Sequence, residues 1–479
     1  MRFTLLLPPQ ICAGLSSRTR VYLPIPTICG LGTHTRRSRS VSTSTKPSTK
    51  EDEKEEGGIR YNYIEDVENL HYYTYGGMHP VSIGDCLKRR YRILHKLGFG
   101  TFSTTWLARD TLLGRLVAVK IARADEESNE TRILSMLNET QRVKSGCGDA
   151  SEASPIDWLI PPLLDTFEVE GPNGKHLCYA TEPADCSLSD TKMGGHGGIF
   201  RLDVGRVLAA QLACAVSLVH ARDLHLGNVL LRSRHKLDEL SDEDIYSQFG
   251  APELEEIVRT DGKPLPLGVP KHSVSMIWMG KSYKDVALAD ARISLADFGA
   301  SFAPSQEARY YSQAPRVVRP PEVRFEPTNP VSYSADIWTL GCVFWDMLAW
   351  SSPFNNFFGD EDETTFQQVD TLGPLPVSWW EKWKARDEYF TAQCTPTKGR
   401  NPLPLNQRFE VSSQEIRKER GWPVMSSEEK RAFLSMIRSM FSFIPEDRPN
   451  IQQVIGSEWM QEWALPEYRK LRADFTETD

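Results

Sequence analysis

From Tyr91 onward the chain alternates apolar and polar positions in short runs, and from Arg206 the spacing lengthens to that of helices. Tyr91-Arg92-Ile93-Leu94-His95-Lys96-Leu97 predicts a strand, and Leu116-Val117-Ala118-Val119-Lys120-Ile121-Ala122 predicts another, apolar except for its lysine. Glu130-Thr131-Arg132-Ile133-Leu134 reads as helix, and Leu177 to Ala184 as a strand running into a hinge. Between Arg206 and Val219, Val207, Leu208, Ala210, Gln211, Cys214, Ala215 and Leu218 form one broad apolar helix face. Ile293-Ser294-Leu295-Ala296 is a short apolar strand that ends in Asp297-Phe298-Gly299. Asp336-Ile337-Trp338 opens an apolar helix, and Ser426 to Trp463 reads as two closing helices.

Chemistry enters where polar residues interrupt these runs. A lysine inside a buried strand is costly unless it has a partner or a ligand, which singles out Lys120. The carboxylates that follow it are candidate partners, Glu130 first and Glu127 second. An exposed pair of this kind contributes about 0–1 kcal/mol, so its value would be positional. In Gly98-Phe99-Gly100-Thr101-Phe102-Ser103, glycines let backbone N–H groups approach phosphates, although tight hairpins use Gly-x-Gly as well. A carboxylate at a strand end, here Asp297, can hold Mg²⁺ against nucleotide phosphates; an isolated Asp-Phe-Gly is more often a turn. Order along the chain changes that balance. The glycine loop, Val117-Ala118-Val119-Lys120, Asp223 with Asn228 five positions on, Asp297-Phe298-Gly299, Pro320-Pro321-Glu322 and Asp336-Ile337-Trp338 follow the sequence of protein-kinase parts.

The resemblance becomes specific at Gly76-Gly77-Met78-His79-Pro80-Val81-Ser82-Ile83-Gly84-Asp85, followed by Leu97-Gly98-Phe99-Gly100-Thr101-Phe102-Ser103-Thr104-Thr105-Trp106-Leu107. This stretch resembles the SR-protein kinase family and looks closest to its fungal members, over roughly Tyr75 to Trp463. The resemblance implies an α+β, bilobal protein kinase fold, with a β-rich N-lobe (75–184) and a mainly helical C-lobe (185–465) carrying an insertion at about 232–290. It implies ATP and Mg²⁺, and a protein substrate, Arg/Ser-rich by family likeness. Lys120 would contact the α/β-phosphates, Asp223 would orient the substrate hydroxyl as base, and Asn228 and Asp297 would hold metal. The expected nucleotide-binding set is Leu97, Gly98, Gly100, Ser103 in place of a third glycine, Thr105, Ala118, Lys120, Glu130, Thr181 at the back of the pocket, and Glu182 and Ala184 at the adenine edge. Glu322 and Arg448 would form a structural ion pair, and Asp336 would anchor the catalytic loop.

The catalytic loop departs from the family in three ways. Ala221 stands where His or Tyr is usual, His225 replaces a phosphate-contacting lysine, and Val219-His220 sits almost against Asp223. The short strand that kinases place between helix and loop is missing, and a misplaced base costs on the order of 10²–10⁴ in rate.

Composition sets the remaining bounds. A net charge of −8 argues against a general nucleic-acid binder. The nine cysteines are scattered and read as free thiols in a reducing compartment. No apolar run is long enough to span a bilayer. Residues 1–50 lack Asp and Glu and carry Arg2, Arg18, Arg20, Arg36, Arg37 and Arg39 among Ser and Thr, the composition of a mitochondrial transit peptide or of a disordered basic tail. Residues 51–74 read as a charged linker and 466–479 as a tail. The family likeness itself implies cytoplasm or nucleus and a monomer. The acidic run Asp360-Glu361-Asp362-Glu363 reads as a solvated loop before a groove for Arg-rich substrates, and Trp379, Trp380 and Trp383 as packing. Two alternatives to a Ser/Thr kinase stand beside it. The Asp-Leu-His-x-Gly-Asn loop resembles that of small-molecule phosphotransferases, and the shortened loop suits a pseudokinase binding module.

Overall fold

The computed structural model describes residues 59–476, apart from 127–128, 146–158, 195–197, 220–224, 233–236, 300, 303, 305–306, 356–359 and 398–401. Six antiparallel strands open it: β1 (Cys86–Leu87), β2 (Tyr91–Phe99), β3 (Ser103–Asp110), β4 (Leu116–Ala122), β5 (Asp165–Gly171) and β6 (Gly174–Thr181). Their spatial order is β1-β2-β3-β4-β6-β5. Period-two alternation drives Ile93, Trp106, Val117, Val119, Ile121, Phe167 and Cys178 into one apolar layer. Helix α1 (Glu130–Ser145) follows β4.

The second lobe is helical. It contains α2 (Leu188–Met193), α3 (Leu202–Val219), α5 (Tyr333–Leu348), α6 (Glu361–Leu372), α7 (Ser427–Met440) and α8 (Leu465–Thr476), while α4 (Asp242–Phe249) packs on the first lobe. Leu208 and Leu212 of α3 and Trp338, Phe344 and Trp345 of α5 are buried in its core. A three-stranded sheet lines its upper edge, in the order β11 (Ile293–Leu295), β8 (Val229–Arg232), β7 (Ala184–Ser187). Residues 466–476, read from sequence as a tail, instead belong to α8, whose Tyr468 and Leu471 join the core. This helix packs on α3, a partner distant in sequence.

The chain between β8 and β11 returns to the first lobe. Leu237, Ile245, Ile277 and Met279 pack with Leu94, Leu107 and Leu116. Asp238 accepts a 2.7 Å bond from the Leu116 amide. Asp242 pairs with Arg109 at 3.0 Å and also with Arg92. Ile277 N–H donates to the Lys96 carbonyl at 2.8 Å. A hairpin of β9 (Leu254–Glu256) and β10 (His272–Val274) lies within this segment.

Residues 59–74, read as linker, are also part of the fold. Ile64, Leu70, Tyr73 and Met78 share a buried cluster with Ile257 and Val269, and Glu68 is buried against Lys96. The charges of this stretch suggested solvent, but its apolar residues find their cover nearly 200 positions away: Thr260 N–H bonds to the Arg60 carbonyl at 2.9 Å. The side chain of Asn173 joins the layers, donating to the Met78 carbonyl at 2.6 Å and the Gly268 carbonyl at 2.8 Å.

Candidate active site

Lys120 points from β4 into the cleft between sheet and helices. Its ammonium lies 3.0 and 2.9 Å from the two carboxylate oxygens of Glu130, at the first turn of α1, and 3.1 Å from Oδ1 of Asp297. The pair is held from below as well, because Phe298 N–H donates to Glu130 Oε1 at 3.0 Å. Asp297 has a φ of +61°, the left-handed region that Asp tolerates better than most residues. That turn sends its carboxylate toward Lys120 while Phe298 enters the core beside Leu134 of α1.

The electrostatics follow from this geometry. Lys120 is 15% exposed and Asp297 50% exposed, so the cluster opens to the cleft on the Asp297 side. The Lys120 ammonium holds the Asp297 carboxyl below the usual range, with the Gly299 amide and His225 adding to the effect. Burial works against the charge on Lys120, but the Glu130 and Asp297 carboxylates overcome it and raise its pKa well above the ordinary value. Both groups are therefore ionised at neutral pH.

Asn228 reaches the same place by strand register. β11 pairs with β8, Leu295 against Val229, and Ala296 N–H donates to the Asn228 carbonyl at 2.9 Å. His225 caps the short turn Leu226–Asn228, its Nδ1 accepting from Gly227 N–H at 3.1 Å. Asp223 and Glu127 lie outside the described residues.

The roof is the β2–β3 turn. Leu97, Gly98 and Phe99 end β2, Gly100 N–H bonds to the Ser103 carbonyl at 2.9 Å, and Thr105 lies opposite Lys120. A methyl added at Gly98 or Gly100 would meet nothing within 4 Å, so the turn is uncrowded at both glycines. Ala118 pairs with Thr181 across β4 and β6. Glu182 directs its carboxylate to Arg232 at 2.7 Å, which ties the hinge to β8, and Ala184 starts β7. Direct contacts thus join β4, α1 and β11 at Lys120, Glu130 and Asp297, and bring in β8 through the Asn228 carbonyl. Among the described residues no cluster of three or more His, Cys, Asp or Glu offers a metal cage. The Asn228–Asp297 neighbourhood fits a cation that completes its shell with phosphates and water, as Mg²⁺ usually does.

Sequence reasoning passed over Tyr179. It is the antiparallel partner of Lys120, and Lys120 Nζ lies 5.9 Å from its ring centre. The signal was there: Tyr179 and Thr181 share a face of one strand, so a pocket backed by Thr181 has Tyr179 one step deeper.

Two further features frame the cleft. Arg448 makes a bidentate pair with Glu322 at 2.8 and 2.7 Å, also donates to the carbonyls of Ser442 and Ser334, and stacks over Trp338 at 5.0 Å. The acidic run at 360–363 is largely spent internally. Asp360 caps α6, Glu363 accepts from Gln367 at 3.0 Å, and Asp362 pairs with Arg324 and accepts from Trp383 Nε1 at 2.8 Å. Trp379 and Trp383 are buried with Phe325 and Phe366.

Comparison with known proteins agrees with this arrangement. A family model described as the protein kinase domain matches residues 284–460. A serine/threonine protein kinase of Aspergillus fumigatus is 24% identical over 402 residues, covering 82% of this chain and 90% of that protein. The serine/threonine-protein kinase SRPK of Physarum polycephalum is 28% identical over 352 residues, 68% of this chain and 77% of that one. Human SRSF protein kinase 3 is 36% identical over a shorter 118 residues, 25% of this chain and 20% of its own. The chain thus carries a protein kinase domain of bilobal form. Its relatives at 24–36% identity are named serine/threonine or SRSF protein kinases, which this chain resembles. A domain of this kind implies ATP-dependent phosphoryl transfer to protein substrates. No helix among the described residues is long and apolar enough to cross a membrane.

Proposed function

We propose that the cleft binds ATP with Mg²⁺ and transfers phosphate to Ser or Thr hydroxyls of Arg/Ser-rich proteins of the mRNA-processing class, in cytoplasm or nucleus. The observation that carries this reading is the single ammonium of Lys120 held between Glu130 and Asp297. When bound, the metal would neutralise charge on the phosphates; Asp297 and Asn228 are the side chains that would hold it. Lys120 supplies positive charge at a fixed point for the α/β-phosphates, and Glu130 keeps it there. Phosphoryl transfer depends chiefly on such positioning and charge neutralisation. The backbone of Leu97, Gly98, Gly100 and Ser103 covers the phosphates. Thr105, Ala118, Thr181, Glu182 and Ala184 border the base. Asp223 receives the substrate hydroxyl's hydrogen bond. The Arg/Ser-rich substrate rests on likeness to proteins named SRPK and SRSF protein kinase 3. The partial internal use of the acids at 360–363 leaves the substrate groove to other residues.

A second reading, a nucleotide-binding pseudokinase, is favoured by the shortness of the stretch between Val219, where α3 ends, and Leu226. Radiolabelled ATP offered with an Arg/Ser-repeat peptide, a basic protein without repeats, and an aminoglycoside or choline acceptor separates the possibilities. Labelling of the repeat peptide that Asp297→Ala abolishes supports the proposal. Labelling of the small acceptor alone rejects it, and nucleotide binding without any transfer leaves the pseudokinase.

A further inference from the structure

We propose that Tyr179 is a positioning residue for this cleft: its hydroxyl donates to Glu130 and holds that carboxylate where Lys120 and the Phe298 amide require it. The consequence for transfer rests on the kinase reading above; the contact itself does not. β4 and β6 set Tyr179 directly opposite Lys120, and directly opposed residues project from the same face of a sheet. Lys120 Nζ, 3.0 and 2.9 Å from the two Glu130 oxygens, lies 5.9 Å from the centre of the Tyr179 ring, and that ring packs on the core together with Ile133 and Leu137 of α1. That carboxylate already collects donors from two elements, Lys120 on both oxygens and Phe298 N–H on Oε1, and the Tyr179 hydroxyl would be the third.

The need for a third donor follows from what Lys120 has to do. Its ammonium is shared between Glu130 and Asp297. Incoming phosphates would draw it further from Glu130, whose buried carboxylate would then lose its nearest positive charge. A buried anion left short of donors is costly, and its flexible side chain can leave. A neutral hydroxyl does not compete for phosphate and can stay on the carboxylate throughout. Burial suits it to that part, because it keeps the phenol protonated. Helix α1 then stays registered on β4 whether Lys120 faces carboxylate or phosphate.

Tyr179→Phe removes one oxygen and leaves the ring. Expected are a fall in kcat/KM for Mg·ATP of about tenfold, the size of one lost hydrogen bond to a charged group, an unchanged KM for the phosphate acceptor, and an unchanged melting temperature. In a Lys120→Met background, Tyr179→Phe should weaken binding of a fluorescent ATP analogue no further. Hydrogen exchange should quicken at residues 130–138 and at Phe298 in Tyr179→Phe, whether or not the chain transfers phosphate. Wild-type exchange in these segments overturns the proposal. Faster exchange with unaltered kcat/KM overturns its catalytic consequence. If the wild-type chain fails to bind Mg·ATP, the nucleotide reading falls, and the exchange comparison still decides the role of Tyr179.

Discussion

Two lysine–glutamate–tyrosine clusters are built on lysines of the same six-stranded sheet, and water treats them differently. In one, Lys96 of β2 pairs with Glu68, which also accepts from the Tyr73 hydroxyl. Phe99 and Trp106 rings lie 5.0 and 5.6 Å from that ammonium, and neither charged side chain is more than 4% exposed. In the other, Lys120 pairs with Glu130 beside Tyr179, and Asp297 opens the cluster to the cleft. Burial lowers the pKa of Lys96 despite Glu68, whereas two carboxylates raise that of Lys120 despite burial. The same three residue types thus make a closed joint in one place and a poised cation in the other. What separates them is the second carboxylate and the open side.

Substitutions should break this contrast in opposite directions. The largest expected effect is on the open cluster: Lys120→Met should reduce phosphate transfer to an Arg/Ser peptide by on the order of a hundredfold or more, with little change in melting temperature. Glu68→Ala should do the reverse. It leaves a buried ammonium unpaired and should cost about 3–5 kcal/mol in urea unfolding, while the folded fraction binds an ATP analogue as before. Replacing both members, Glu68→Leu with Lys96→Met, should recover most of that loss, because a buried pair is often matched by apolar packing. Tyr73→Phe should cost about 1 kcal/mol of stability and leave kinetics alone, the mirror of Tyr179→Phe.

Acid should sharpen the comparison further. Burial, then His176, holds His79 down to about 4, and burial holds His95 down to about 4 against opposing backbone hydrogen bonds. The unfolded chain protonates these rings near pH 6.5. Between about 6.5 and 4 the unfolded state therefore binds more protons, and stability falls as pH falls. Asp297 is lowered and stays ionised across that window. Melting curves at pH 6.5, 5.5 and 4.5 should decline by a few degrees per step, less so in His79→Phe, without the open cluster discharging first.

The parts of the cleft were legible because kinase chemistry puts distinctive residues at strand ends and in buried runs. Lys120 stood out as the one charge in an apolar strand, and the structure sets it against Glu130 and Asp297. The closed cluster was not legible. Lys96 lay in a strand of mixed polarity, and Glu68 belonged to a stretch whose charges suggested solvent. Nothing local says that Leu70, Tyr73 and Met78 will meet Ile257 and Val269. Nothing in the insertion at about 232–290 announced that Asp238 and Asp242 would be occupied by the Leu116 amide and by Arg92 and Arg109. Tyr179 was missed because a tyrosine in a strand is ordinarily packing; only its register opposite Lys120 gives it a polar task.

The reach of the segment between β8 and β11 has a consequence for the newborn chain. Leu94, Leu107 and Leu116 leave the ribosome long before their cover, and Asp238 follows Leu116 by 122 residues. At translation rates of roughly 5–20 residues per second, the early sheet waits on the order of ten seconds with an oily face bare. Holdase chaperones should meet this nascent chain there, and stalled translation products cut before residue 237 should capture them more than products that extend past 280.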